Sequence, residues 1–189
     1  GIDKYSKKRE EVEAHYDEFR EDSFICSDSK GNIIILTLAG KLYYYDFIAN
    51  RFDEIDFPGS ERYNYCNNLI IDANDNILIT KNGKINRFNL DWSDDIKPKL
   101  SKTYNIVHKE PITYTFYDKE NLVIVDKKGD LFVVRSDEKV FIKNISSVLS
   151  EYGDITSIIF DDLDILIAFR INGLIKLNYK KEYEADRMP

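Results

Sequence analysis

The sequence predicts an all-β fold, a segment of a β-propeller, on three observations. A pattern of aspartate, turn, apolar run, then glycine and alternating apolar residues occurs four times. The glycines after the runs, Gly40, Gly83, Gly129 and Gly173, stand 43, 46 and 44 residues apart. Each unit also holds several short apolar runs split by turn residues. A period in the low forties that carries several short strands is the sequence form of a propeller blade. The copies read DSKGNIIILTLAGKLYYYD from Asp28, DANDNILITKNGKINRFN from Asp72, DKENLVIVDKKGDLFVVRS from Asp118 and DDLDILIAFRINGLIKLNY from Asp161.

The elements follow in order, with the strands of a blade lettered A to D from the inside of the ring outwards. Gly1 to Tyr5 resembles Gly173 to Leu177 and reads as the C strand of an earlier blade, and Glu10 to Tyr16 as its D strand; together they form an outer half-blade over residues 1–20. Blade one, residues 21–60, opens on the short strand SFICS, and Asp28 to Asn32 supplies Asx and glycine turn chemistry. Ile33 to Thr37 is a β-branched run suited to burial on both faces. Lys41 to Tyr45 and Phe52 to Phe57 complete the unit. Blade two, residues 61–105, repeats it with Asn68 to Ile71, Ile77 to Thr80, Lys84 to Phe88 and a less regular outer strand near Ile96 to Leu100. Blade three, residues 106–147, uses Ile112 to Tyr117, Leu122 to Val125, Leu131 to Val134 and Val140 to Lys143. Blade four, residues 148–189, uses Ile155 to Phe160, Ile165 to Phe169, Leu174 to Asn178 and Glu182 to Ala185. One helix is expected, Ser146 to Tyr152, stopped by Gly153.

A blade packs only against its neighbours, so an arc of blades has bare apolar faces at both ends. A ring of four is sterically demanding and leaves the half-blade without a partner. The expected architecture is therefore an arc of four four-stranded blades plus the half-blade, cut from a ring of about six to eight blades. The remaining blades of the same propeller would be its first partner. The opening Gly in place of Met agrees with a segment of a longer protein. Alone, such a segment is expected to aggregate, to dimerise through its ends, or to fold loosely.

Composition limits the functions. The 189 residues carry 27 Lys and Arg scattered among 34 Asp and Glu, for a net charge of −7, which argues against a nucleic-acid partner. No run approaches the roughly 18 apolar residues of a membrane span, so a membrane is expected only through a span outside this chain. Cys26 and Cys66, the only cysteines, are expected as free buried thiols.

Candidate chemistry is sparse. Asp72 to Asn76 has the look of a calcium loop, but Ile77 and Gly83 stand where an EF-hand needs Gly and a bidentate Glu, so turn chemistry is expected and no metal. His15 and His108, the only histidines, suggest solvated side chains in outer strands or loops, and no catalytic residues or cofactor are assigned. Asp28, Asp72, Asp118 and Asp161, with Gly40, Gly83, Gly129 and Gly173, read as structural turn formers. Of the 13 Tyr and 11 Phe most should be core; in Tyr43 to Tyr45, alternation sends Tyr44 to one face and its neighbours to the other. A ligand would meet the channel face lined by A strands and their entry loops, such as Asn64 to Asn67 and Pro111 to Tyr114, which makes Tyr65 and Tyr114 candidate contacts. Trp92, in a polar loop, is the third candidate: exposed, it would stack on a sugar or a partner protein; otherwise it packs over the rim.

Over nearly the whole chain, and most visibly at Ile155 to Asp161 and Asn172 to Asn178, the sequence resembles the two-component regulator propeller repeat family. Asp28, Gly31, Asn32, Thr37, Gly40, Leu42, Tyr45 and Asp46 match that motif in the first unit; Asp72, Asn76, Thr80 and Gly83 in the second; Asp118, Asn121 and Gly129 in the third; Asp161, Gly173, Leu174 and Tyr179 in the fourth. The family's B-strand tryptophan is aliphatic in every unit, and Leu36 and Ile79 replace the Gly before Thr. The resemblance implies the periplasmic sensor region of a membrane-bound hybrid histidine kinase of Bacteroides-like organisms. It further implies a glycan-derived ligand, a homodimeric parent receptor and no catalysis within these residues. Two other classes stay open. A WD-repeat-like interaction scaffold would carry Gly-His and Trp-Asp signatures, which are absent, Asp91-Trp92 being in the reverse order. A propeller enzyme, such as a lyase or quinoprotein-like fold, would need a polar cluster at the channel mouth.

Overall fold

The computed structural model describes residues 2–6, 11–16, 19, 23–56, 60–92, 98–118, 120–135, 138–161, 164–171 and 173–178. They form four antiparallel sheets in a four-blade β-propeller arrangement, preceded by a two-stranded sheet. That first sheet pairs β1 (Ile2–Ser6) with β2 (Glu11–Tyr16), the expected half-blade. Blade one runs β3 (Ser23–Ser27), β4 (Ile33–Thr37), β5 (Leu42–Asp46) and β6 (Arg51–Ile55), each hydrogen-bonded to the next. Blade two is β7 (Asn68–Ile71), β8 (Asn76–Lys81), β9 (Lys84–Asp91) and β10 (Lys99–Val107), entered through a 3-10 turn at Ser60–Tyr63. Blade three is β11 (Ile112–Asp118), β12 (Asn121–Asp126), β13 (Asp130–Arg135) and β14 (Glu138–Asn144). Helix α1 (Ser146–Tyr152) leads to blade four, with β15 (Ile155–Asp161), β16 (Asp164–Phe169) and β17 (Leu174–Asn178).

Two expectations change. The outer strand of blade two is Lys99–Val107, later and longer than the expected Ile96 to Leu100, and it passes the expected blade boundary at 105. Its polar residues are held as a strand because β9 offers eight residues of backbone to pair with. The outer strand expected at Glu182 to Ala185 lies outside the described residues.

The cores lie between blades, and strand alternation builds them. On β8, Ile77 and Ile79 face blade one and pack with Ile34, Leu36 and Leu69, whereas Leu78 faces blade three and packs with Leu122 and Ile124. On β12 the split repeats, with Val123 and Val125 joining Ile158, Ile165 and Ile167 of blade four. A B strand is therefore apolar throughout because both of its faces are covered. Each such side chain contributes about 1.5–3 kcal/mol on leaving water. The aromatic run obeys the same parity: Tyr44 turns toward blade two, while Tyr43 meets Phe19 at 5.2 Å and Tyr45 meets Tyr16 at 6.0 Å. The inner strands β3, β7, β11 and β15 contact one another in succession, which lines up the blades.

Candidate ligand-binding cavity

The repeated aspartates are of two kinds. Asp28 accepts from the backbone N–H of Lys30 and Asn32 at 3.0 and 2.8 Å, and Asp72 accepts from Asn74 and Asn76 at 2.9 and 3.0 Å, so each closes an Asx loop between its A and B strands. Asp72 is also bonded by the guanidinium of Arg87, with Nε at 2.7 Å. Asp118 and Asp161 instead end two-residue hairpins, opposite Asn121 and Asp164. Asp118 reaches into blade four and accepts from the Phe160 N–H at 2.6 Å. In unit three an Asx turn lies at the other end of the B strand, where Asp126 accepts from the N–H groups of Lys128 and Asp130 at 2.9 and 3.0 Å. Gly40, Gly129 and Gly173 take positive φ, and Gly83 does not.

Gly83 serves close approach. A Cβ there would stand 2.5 Å from the carbonyl oxygen of His108 and 3.0 Å from that of Glu110. Without it, the connection from blade two to blade three lies directly on the Lys81–Lys84 turn, and the His108 N–H donates to the Gly83 carbonyl at 2.7 Å. On the other side, Lys81 Nζ donates to the Arg62 carbonyl at 2.8 Å and to Asn64 Oδ1 at 2.7 Å. Two connections and one turn thus border a half-open cavity of about 510 Å³ at one end of blade two. Its lining includes Arg62 and Tyr63 of the first connection, Lys81 and Lys84 of the turn, Asn86 of β9, and His108 of the second connection. A second cavity, of about 380 Å³, lies at the opposite end of β8, with Leu78, Ile85 and Leu122 as its apolar wall and Asp72, Arg87 and Glu120 at its polar side.

His108 is a correction. Expected as a solvated side chain, it is buried, with Nε2 3.0 Å from Asp126 Oδ2 and Nδ1 3.0 Å from Lys139 Nζ. An ammonium only donates, so Nδ1 accepts and the ring proton points at Asp126. Phe132 meets the ring edge-on at 4.7 Å. Both nitrogens are engaged within the fold.

The three candidate ligand contacts stand apart from the larger cavity. Trp92 is half-buried and packs edge-on against Tyr44 of blade one at 5.8 Å, with Nε1 buried and without a partner among the described residues. Tyr65 is 77% exposed, its N–H donating to the Leu38 carbonyl at 2.7 Å. Tyr114 donates its O–H to Asp154 at 2.7 Å, and burial together with that carboxylate raises its phenol above the usual range. Cys26 and Cys66 are free, and burial pushes their thiols up to about 12 and about 11. The cavity itself was signalled in sequence only by its entry segments, which supply Arg62, Tyr63 and Pro111 around the expected Asn64 to Asn67 and Pro111 to Tyr114.

No protein-family profile and no curated sequence matches the chain. By structure, the chain is similar to the extracellular domain assigned to a hybrid two-component system of B. thetaiotaomicron, with a TM-score of 0.58 and 14% identity over 84% of this chain and 21% of that one. It is also similar to a computationally designed protein, Ika4, with a TM-score of 0.53 and 13% identity over 88% of this chain and 94% of that one. Virginiamycin B lyase from Staphylococcus aureus superposes with a TM-score of 0.50 and 13% identity, over 82% and 54% of the two chains. At these identities the likeness is one of fold. The chain spans about a fifth of the length of the two-component domain. Among the described residues no helix is long and apolar enough to cross a membrane.

Proposed function

We propose that this chain is a ligand-binding propeller segment from the extracytoplasmic sensor region of a hybrid two-component histidine kinase. The observation that carries the reading is the superposition of its four-blade arrangement on the extracellular domain of such a system, over 84% of this chain. A second structure of that same extracellular domain, described as belonging to a one-component system, superposes with a TM-score of 0.51 and 20% identity. Further blades complete the ring, the parent receptor is a homodimer, and a glycan-derived ligand docks where the blade connections meet. Signal passes as a change in how blades sit against each other, since the seams hold both the cores and the polar bridges between sheets. These residues perform no reaction.

The test is the coding context and the topology of the whole protein. The reading expects a membrane span and a kinase core downstream, and alkaline phosphatase fused beside the propeller to be active, as it is only outside the cytoplasm. A cytoplasmic propeller, or one with no kinase core in its protein, overturns it.

A further inference from the structure

We infer that the 510 Å³ cavity at the connection end of blade two is an oxyanion-binding site that takes a small ligand bearing a carboxylate, sulfate or phosphate group. Its lining is unlike the rest of the chain. Arg62, Lys81, Lys84 and Lys109 line it, and none of the described lining residues is Asp or Glu, in a protein with a net charge of −7. A cleft lined by one sign of charge between low-dielectric walls concentrates ions of the other sign.

Among the described residues, three of the cations lack an acidic partner. The ammonium of Lys81 is anchored by two neutral oxygens, those of Arg62 and Asn64, which fix its position, and it forms no ion pair among the described residues. Lys84 and Lys109 form no ion pair among the described residues. The nearby Glu110 is engaged elsewhere, accepting from Lys128 Nζ at 2.6 Å.

The second observation is Asn86. Its side chain is only 7% exposed, it lines the cavity, and its amide has no hydrogen-bond partner among the described residues. An amide that faces the cleft without a protein partner has its NH2 free to donate to a ligand oxygen. Asn82 and Asn105 add amides at the same cavity. Cations supply charge-assisted bonds to the oxyanion, and the amides suit hydroxyl groups carried on the same ligand.

This rests on the ligand-binding reading above, yet the two fail separately. Anion binding by a propeller in a protein without a kinase would leave the site and remove the sensor. A kinase-linked propeller indifferent to anions would do the reverse.

The experiment is isothermal titration of the whole propeller that carries these 189 residues with glucuronate, inorganic sulfate and inorganic phosphate, with glucose as the neutral counterpart of glucuronate. Saturable binding of at least one anion, absent for glucose and weakened by sodium chloride, is expected. The arm that binds most tightly separates a carboxylate site from one for tetrahedral oxyanions. Lys84→Gln with Lys109→Gln, both exposed and outside the core, should weaken binding about ten-fold or more, whereas Lys30→Gln with Lys176→Gln, which removes the same charge elsewhere, should change it less than about two-fold. Equal loss in the two double variants, equal binding of glucose and glucuronate, or no saturable binding of any anion overturns the inference.

Discussion

Asp118, at the end of the inner strand of blade three, accepts a 2.6 Å hydrogen bond from the backbone N–H of Phe160 in blade four. It fastens one sheet to the next at the seam where Phe116 and Phe160 pack into the same core. Asp118→Ala should therefore lower stability by about 1–3 kcal/mol, and Asp118→Asn, which keeps an acceptor, by less. Urea unfolding gives the magnitude, and hydrogen exchange should show the amide of Phe160 losing more protection than those of blade two. Uniform loss across all blades would show that the bond does not act at this seam.

Thr115 ties blade three to blade two. Its hydroxyl lies 3.1 Å from that of Thr80 and accepts from Asn68 Nδ2 at 3.0 Å, with Thr115 only 1% exposed. Thr115→Val preserves shape, strands the Thr80 hydroxyl and leaves Asn68 Nδ2 only its 2.7 Å bond to the Thr115 carbonyl, so it should cost about 1–3 kcal/mol. Thr80→Val in the same protein should add less than its cost alone, with a coupling of about 0.5–3 kcal/mol in a double-mutant cycle. Strict additivity would mean that the two hydroxyls do not share a bond.

What could be read in the sequence follows the range of the interaction that decides it. Ile33–Thr37, Asn68–Ile71 and the helix Ser146–Tyr152 fall where they were expected, because a β-branched or capped run between turn residues carries its own signal. The four aspartates read in sequence as one kind of turn former, and the spacing that separates them was missed: Asp28 and Asp72 precede their apolar runs by five residues, Asp118 and Asp161 by four, the difference between an Asx loop and a two-residue hairpin. Lys99–Val107 was not legible, since a polar run becomes a strand there through its pairing with β9. His108 is buried by Asp126, 18 residues on, and Lys139, 31 residues on, and Trp92 packs on Tyr44 of another blade. The cavity joins Arg62 and Lys109 from two connections with Lys84 from a turn, and no local pattern relates them.

Stability should fall at both ends of the pH scale, for different groups. The Ser29 hydroxyl and N–H, bonded to Asp75 at 2.6 and 2.8 Å across the first seam, hold that carboxyl below its usual 3.8. A lowered folded value means a contribution that is present above 3.8 and lost as pH falls below it. Burial raises Cys26 and Cys66 from 9.0 to about 12 and about 11, so their contribution is present below pH 9 and lost as pH rises toward those values. Urea midpoints should be flat near neutrality and drop below about pH 4 and above about pH 9. Cys26→Ala with Cys66→Ala should flatten the alkaline limb, and Ser29→Ala the acid one. Limbs unmoved by these changes would assign the effect to other groups.

Three glycines separate steric from conformational cost. At Gly31, φ is +83° and nothing lies within 4 Å of a Cβ, so Gly31→Ala meets only the backbone penalty of a left-handed conformation, about 1 kcal/mol. At Gly83 φ is ordinary, and the obstacle is the His108 carbonyl oxygen at 2.5 Å, so Gly83→Ala must displace the connection and should cost about 1–3 kcal/mol. Gly129 has both problems, with φ +81° and the Ser146 backbone at 2.8 Å, and its alanine variant should be the least stable of the three. Urea unfolding ranks them, and only Gly83→Ala should speed hydrogen exchange at His108, whose N–H bonds the Gly83 carbonyl. If Gly83→Ala were as mild as Gly31→Ala with that amide still protected, the connection would yield freely, and the wall of the cationic cavity would not be rigid.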